Sequence, residues 1–127
     1  MTRGGLFTLM LLLSACGGTG GGQVTVPSEP SGTLQVSGVE LRTSLAGTSR
    51  PSVRVQGVLL DGCTSLGPIS QRREGRTIIV SIPTIHTGAS VCTQVAQLVD
   101  LTIPLEGDFP PGEYVVRVNG VERRFRI

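Results

Sequence analysis

Asn119-Gly120 stands between two runs of alternating apolar and polar residues, and it constrains the fold more than any other feature of this chain. Both central residues of a tight two-residue turn need positive φ, which asparagine and glycine tolerate best, so the pair predicts a β-hairpin. A two-residue turn also sets the register. Val118 then faces Val121, Val116 faces Arg123 and Tyr114 faces Phe125 on one side. On the other side Arg117 lies across from Glu122, Val115 from Arg124 and Glu113 from Arg126. Two of those three outward pairs are opposite charges, each worth roughly 0.2–1 kcal/mol.

From Thr33 onward the same alternation recurs, broken by turn residues about every 8–12 positions, a spacing that favours an all-β sandwich or barrel. Leu34 and Val36 alternate in one phase and Val39 and Leu41 in the other, so Ser37-Gly38 predicts a β-bulge. Val53, Val55 and Leu59 share a face opposite Arg54 and Gln56, and Asp61-Gly62-Cys63 ends that strand as a turn. Residues 66–71 and 77–82 flank Arg73-Glu74-Gly75-Arg76 as a second hairpin. Val95, Val99, Leu101, Ile103 and Leu105 share one parity and are expected in one strand. Only Ser90 to Leu98 is compatible with a short helix.

The N-terminal end has a different character. Arg3 precedes the apolar run Leu6 to Leu13, which is followed by small residues, the layout of a secretory signal peptide. Eight residues rise about 12 Å as a helix, far short of a ~30 Å hydrocarbon core. Leu13-Ser14-Ala15-Cys16 resembles the lipobox of bacterial lipoproteins. That resemblance implies diacylglycerol on the Cys16 sulfur, cleavage before Cys16, and a membrane partner reached through the lipid. The same resemblance implies that Gly17, not being aspartate, is compatible with outer-membrane sorting in a cell with two membranes. The glycine-rich stretch 17–22 and the residues up to Gly32 read as a tether about 20 Å long when flexible. The expected organisation is therefore a signal peptide over 1–15, lipidated cysteine and tether over 16–32, and one folded domain over 33–127.

All eleven basic residues are arginine and nine residues are acidic, so the formal net charge is only +2. Such a chain lacks the electrostatic footprint of a nucleic-acid binder. With Cys16 assigned to the anchor, Cys63 and Cys92 remain as a pair. In an exported chain two such thiols are expected to form a structural disulfide. A redox-active or metal-binding pair is the sharper alternative, but it lacks Cys-x-x-Cys spacing and further ligands in sequence.

Phe109-Pro110-Pro111-Gly112-Glu113-Tyr114 resembles the Pro-x-Gly-x-Tyr entry to the penultimate strand of bacterial immunoglobulin-like and fibronectin-III-like modules. The resemblance implies an immunoglobulin-like antiparallel β-sandwich of about seven strands. In it Tyr114 would play the tyrosine-corner part. The chain has no tryptophan, and neither Cys63 nor Cys92 lies on the Tyr114 strand, so the bridge is expected to staple loops at one end.

Candidate chemistry is sparse. His86 is the only histidine, and no Gly-x-Ser-x-Gly elbow frames Ser81 or Ser90. A small envelope hydrolase using His86 or the acids Asp100, Glu106 and Asp108 is the rival to a non-catalytic reading. Calcium would need several convergent acids, and Asp61, Asp100, Glu106 and Asp108 are too scattered to predict it. No cofactor or metal is expected. Arg72, Arg73 and Arg76 on one hairpin and Arg124 and Arg126 on the last strand form two basic clusters. If they converge, they offer a site for an anionic group on an envelope protein or glycan. The expected function is thus a lipid-anchored binding or assembly module of the cell envelope.

Overall fold

The computed structural model describes residues 30–43 and 50–127; the signal-peptide segment, Cys16 and nearly all of the tether lie outside the described residues. Ten strands follow in order: β1 (Gly32–Thr33), β2 (Gln35–Arg42), β3 (Ser52–Leu59), β4 (Thr64–Leu66), β5 (Ser70–Glu74), β6 (Thr77–Ser81), β7 (Pro83–His86), β8 (Gln97–Pro104), β9 (Glu113–Val118) and β10 (Val121–Arg126). They form three sheets, ordered β2-β3-β8, β10-β9-β6-β5 and β1-β7-β4. No helix occurs among the described residues. The protein is an all-β sandwich, as the alternation indicates.

The count of ten rather than about seven strands has a local cause. Gly67-Pro68 divides the expected strand 66–71 into β4 and β5, which belong to different sheets. Likewise the run from Thr77 changes sheet at Ile82-Pro83, where proline cannot donate to a continuing ladder. Strands that switch sheets in this way make the corners of a sandwich. Every pair is antiparallel except β6 with β9, which run parallel. Ser31 and Gly32, assigned to the tether by sequence, are already tied to Thr84 of β7.

The C-terminal hairpin has the expected register at all six pairs, from Val121↔Val118 to Arg126↔Glu113. Two outward ion pairs accompany it, Arg117–Glu122 and Arg126–Glu113. The bulge is also present: the β2–β3 register shifts between Val36 and Gly38. Ser90 to Leu98, in contrast, is no helix. It runs irregularly into β8, with Val95 67% and Leu98 89% exposed, so Val95 does not share the strand's inward face. An apolar residue there has no opposing sheet to cover it.

The core draws on both larger sheets. Val39, Val53, Val55, Leu59 and Ile103 come from β2-β3-β8, while Ile78, Val80, Tyr114, Val116, Val118 and Phe125 come from the four-stranded sheet. Asn119 adds a cross-link that the hairpin signal does not reveal. Its φ is +45°, as the turn demands. Its side-chain Nδ2 donates to the carbonyls of Leu34 (2.9 Å) and Ile82 (3.0 Å), and its Oδ1 accepts from the Ile82 N–H (2.9 Å). One turn residue thereby latches the hairpin to the β1–β2 junction and to the corner between β6 and β7.

Candidate basic site and the disulfide end of the sandwich

Tyr114 begins the basic site. It is buried at the entry to β9, and its hydroxyl donates to the Pro110 carbonyl four residues back, the tyrosine-corner geometry. Phe109 and Phe125 pack beside it, with ring centroids 5.3 and 5.4 Å from the tyrosine ring. Arginines lie over this aromatic group. The Arg73 guanidinium is 4.7 Å from the Phe109 centroid and that of Arg76 is 5.2 Å from the Tyr114 centroid, close enough for cation–π attraction. Gly112, at φ +145°, leaves room for Arg76: a Cβ there would collide with its guanidinium.

These residues border a hollow of about 560 Å³ at one end of strands β6, β9 and β10, lined by Arg76, Glu113, Tyr114, Arg124, Phe125 and Arg126 among others. The two arginine clusters therefore converge in part. Parallel pairing of β6 with β9 sets Thr77 beside Val115, which brings the β5–β6 turn next to the β10 arginines. Arg126 pairs with Glu113 at 3.3 Å, whereas no ion pair engages Arg76 or Arg124 among the described residues. Arg73 is committed elsewhere: it donates to the backbone carbonyls of Asp108 and Gly75. Arg72 does not join the hollow. It shares the outward face with Arg124, but it sits on the edge strand β5, across β6 and β9 from β10, and pairs there with Glu74 at 3.3 Å.

The acids considered for hydrolysis or calcium do not assemble. Asp100 is gripped by a two-toothed Arg54 contact on the outer face of β3 and β8, and Glu40 lies 3.6 Å from the same guanidinium. The Arg54 hydrogen bonds hold the Asp100 carboxyl below its usual range and push Arg54 up. Glu106 and Asp108 sit in the β8–β9 loop, which Gln71 clamps by donating to Pro104 and accepting from the Glu106 N–H.

A family model described as the ORF11 beta-sandwich domain matches residues 53–127, more than half of the chain. The chain belongs to the ORF11 beta-sandwich family. Three similar proteins come from Herpetosiphon aurantiacus. The uncharacterized 10.2 kDa protein of the HgiCIIM 5′ region is 34% identical over 76 residues, covering 60% of this chain and 81% of its own length. Those of the HgiBIM and HgiEIM 5′ regions are each 35% identical over 75 residues, covering 59% of this chain and 92% of their own. No solved structure matches. The matched stretch of the ORF11 beta-sandwich domain contains both the basic hollow and the disulfide.

Cys63 and Cys92 are joined, with Cα atoms 5.5 Å apart, and the bridge links the turn after β3 to the loop before β8. His86, at the end of β7, meets this bridge: its Nε2 lies 3.7 Å from the Cys92 Sγ. The Asp61 Oδ1 accepts from the Cys63 N–H and the Thr64 hydroxyl, an Asx-type turn, and these bonds hold its carboxyl below its ordinary range. Asp61, Cys63, His86 and Cys92 each place a ligand-type atom within 4.8 Å of the others. Sequence spacing hides this group, because antiparallel pairing of β4 with β7 sets Thr64 opposite His86. The nearest acid to His86 in this cluster is thus Asp61, not Asp100, Glu106 or Asp108.

Proposed function

We propose that this protein is a lipoprotein of the cell envelope, held by acyl chains on Cys16, whose sandwich is a non-catalytic binding module for an anionic group on a protein or glycan. The lipobox-like Leu13-Ser14-Ala15-Cys16 supports the anchor, and no helix of the described residues is long and apolar enough to cross a membrane. One acyl chain binds marginally and several hold stably, so multiple acylation suffices for anchoring. The observation that carries the binding reading is the placement of Arg76 and Arg124 together around an aromatic-floored hollow. Guanidinium groups there present planar donor forks that match carboxylate, sulfate or phosphate oxygens.

Two measurements test it. Labelled palmitate should enter the native chain and not a Cys16→Ser variant, and only the native chain should partition into detergent. Pull-down from solubilised envelope should recover a partner that is lost with Arg76→Glu plus Arg124→Glu but kept with Arg72→Glu, which lies outside the hollow. Aqueous partitioning of an unlabelled native chain overturns the anchor. Equal recovery by the native chain and the double variant overturns the binding site.

A further inference from the structure

We propose that the dithiol form of the disulfide end is a tetrahedral site for a zinc-class divalent cation, held by the sulfurs of Cys63 and Cys92, Nε2 of His86 and a carboxylate oxygen of Asp61. Two thiolates, an imidazole and a carboxylate are a complete donor set for such an ion. The site is independent of the anchor and of the basic hollow.

The geometry is close to what the ion requires. Metal–sulfur bonds of about 2.3 Å and metal–nitrogen bonds of about 2.05 Å give a tetrahedral N···S edge of about 3.6 Å. The His86 Nε2 to Cys92 Sγ distance is 3.7 Å, and no pair of the four donor atoms is farther apart than 4.8 Å. The two sulfurs must part to about 3.8 Å, the S···S edge of the same tetrahedron, which side-chain torsions can supply across a Cα separation of 5.5 Å.

The surrounding backbone keeps the ligands together without the S–S bond. The Gly62 N–H donates to the Thr93 carbonyl and the Thr87 N–H to the Cys63 carbonyl, each at 2.9 Å. Thr64 pairs with His86 in the β4–β7 ladder. One main-chain bond therefore ties the Cys63 turn to the residue after Cys92, and the others tie it to the His86 strand. Asp61 is oriented by the bonds that its Oδ1 accepts, which leaves Oδ2 for coordination. His86 must change tautomer. In the disulfide state its Nδ1 accepts from the Gly88 N–H, so a neutral ring carries its proton on Nε2. On metal binding that proton moves to Nδ1, and the Gly88 N–H, in an exposed loop, turns to solvent.

The exchange balances. A dithiol or phosphine reductant supplies two electrons and, with solvent, two protons; the S–S bond breaks and two thiols form. The cation then displaces both thiol protons to solvent as two metal–sulfur bonds form. Disulfide and metal are mutually exclusive, so the oxidation state of the pair decides whether this end of the sandwich carries an ion.

Cobalt(II) is the probe, added to the purified full chain carrying Cys16→Ser so that only the two relevant thiols remain. Phosphine-reduced protein should take up one equivalent, with tetrahedral d–d bands and a thiolate-to-cobalt charge-transfer band, and zinc should displace it. Oxidised protein should show neither band. His86→Ala and Asp61→Asn should each weaken binding at least about tenfold, the loss that even outer-shell groups of a metal site commonly cause. If reduction unfolds the chain, cobalt should restore its β-type circular dichroism. An octahedral cobalt spectrum, failure to restore the fold, or parental affinity in His86→Ala overturns the proposal.

Discussion

Replacing Asn119 by glycine isolates the side-chain latch from the turn, because glycine adopts the required positive φ without strain. The substitution removes three hydrogen bonds, two donated to the Leu34 and Ile82 carbonyls and one accepted from the Ile82 N–H. The consequences differ among the three. The Ile82 carbonyl keeps the Leu34 N–H, 2.9 Å away, as a donor. The Leu34 carbonyl and Ile82 N–H lose the Asn119 partner inside residues that are 2% and 0% exposed. Leaving a buried backbone group unpaired costs about 1–3 kcal/mol. Two such groups, partly rehydrated through the space vacated by the amide, give an expected loss of about 2–4 kcal/mol. For a domain of this size that lowers the melting temperature by roughly 10–25 °C. Asn119→Ala should lose a further ~1 kcal/mol, since a Cβ at positive φ is strained. Asn119→Asp should resemble Asn119→Gly or be worse, because its second oxygen would face two carbonyls. Urea and thermal unfolding followed by circular dichroism, without reductant, measure all three. An Asn119→Gly protein within about 0.5 kcal/mol of the parent would refute the latch.

Further outcomes follow from the same packing. Gly57→Ala should destabilise by about 1–3 kcal/mol, the usual cost of overpacking a core, because a Cβ there would lie 2.6 Å from the Gln35 carbonyl oxygen and 2.9 Å from Leu34; chemical denaturation reads it. Tyr114→Phe should cost about 1 kcal/mol through loss of the bond to the Pro110 carbonyl, while leaving the hollow's arginines in place. Asp61 and Asp100 have folded carboxyl groups held below their ordinary range. Their stabilisation is therefore complete above the unfolded value near pH 4 and is lost as pH falls through the folded values. Unfolding midpoints should drop below about pH 4, less steeply in an Asp100→Asn variant. Mass spectrometry of oxidised protein should find no free thiol at Cys63 or Cys92, and Cys63→Ser should cost roughly 3–4 kcal/mol in the chain-entropy picture.

What local sequence determined here is what period and turn chemistry can encode. Alternation with period two declared strands, Asn119-Gly120 set six register pairs, and the phase change at Ser37-Gly38 marked the bulge. Those signals are local, since each relates residues a few positions apart along one or two strands. Tertiary structure alone decided where strands change sheet, at Gly67-Pro68 and Ile82-Pro83, and that β6 and β9 run parallel. It also decided which candidates meet. Arg76 joined Arg124 and Arg126 while Arg72 stayed on the far edge strand beside Glu74, and His86 met Asp61 and the Cys63–Cys92 bridge rather than the acids of the β8–β9 loop. Such meetings depend on pairings between segments dozens of residues apart. A one-residue change of register would send every side chain concerned to the opposite face.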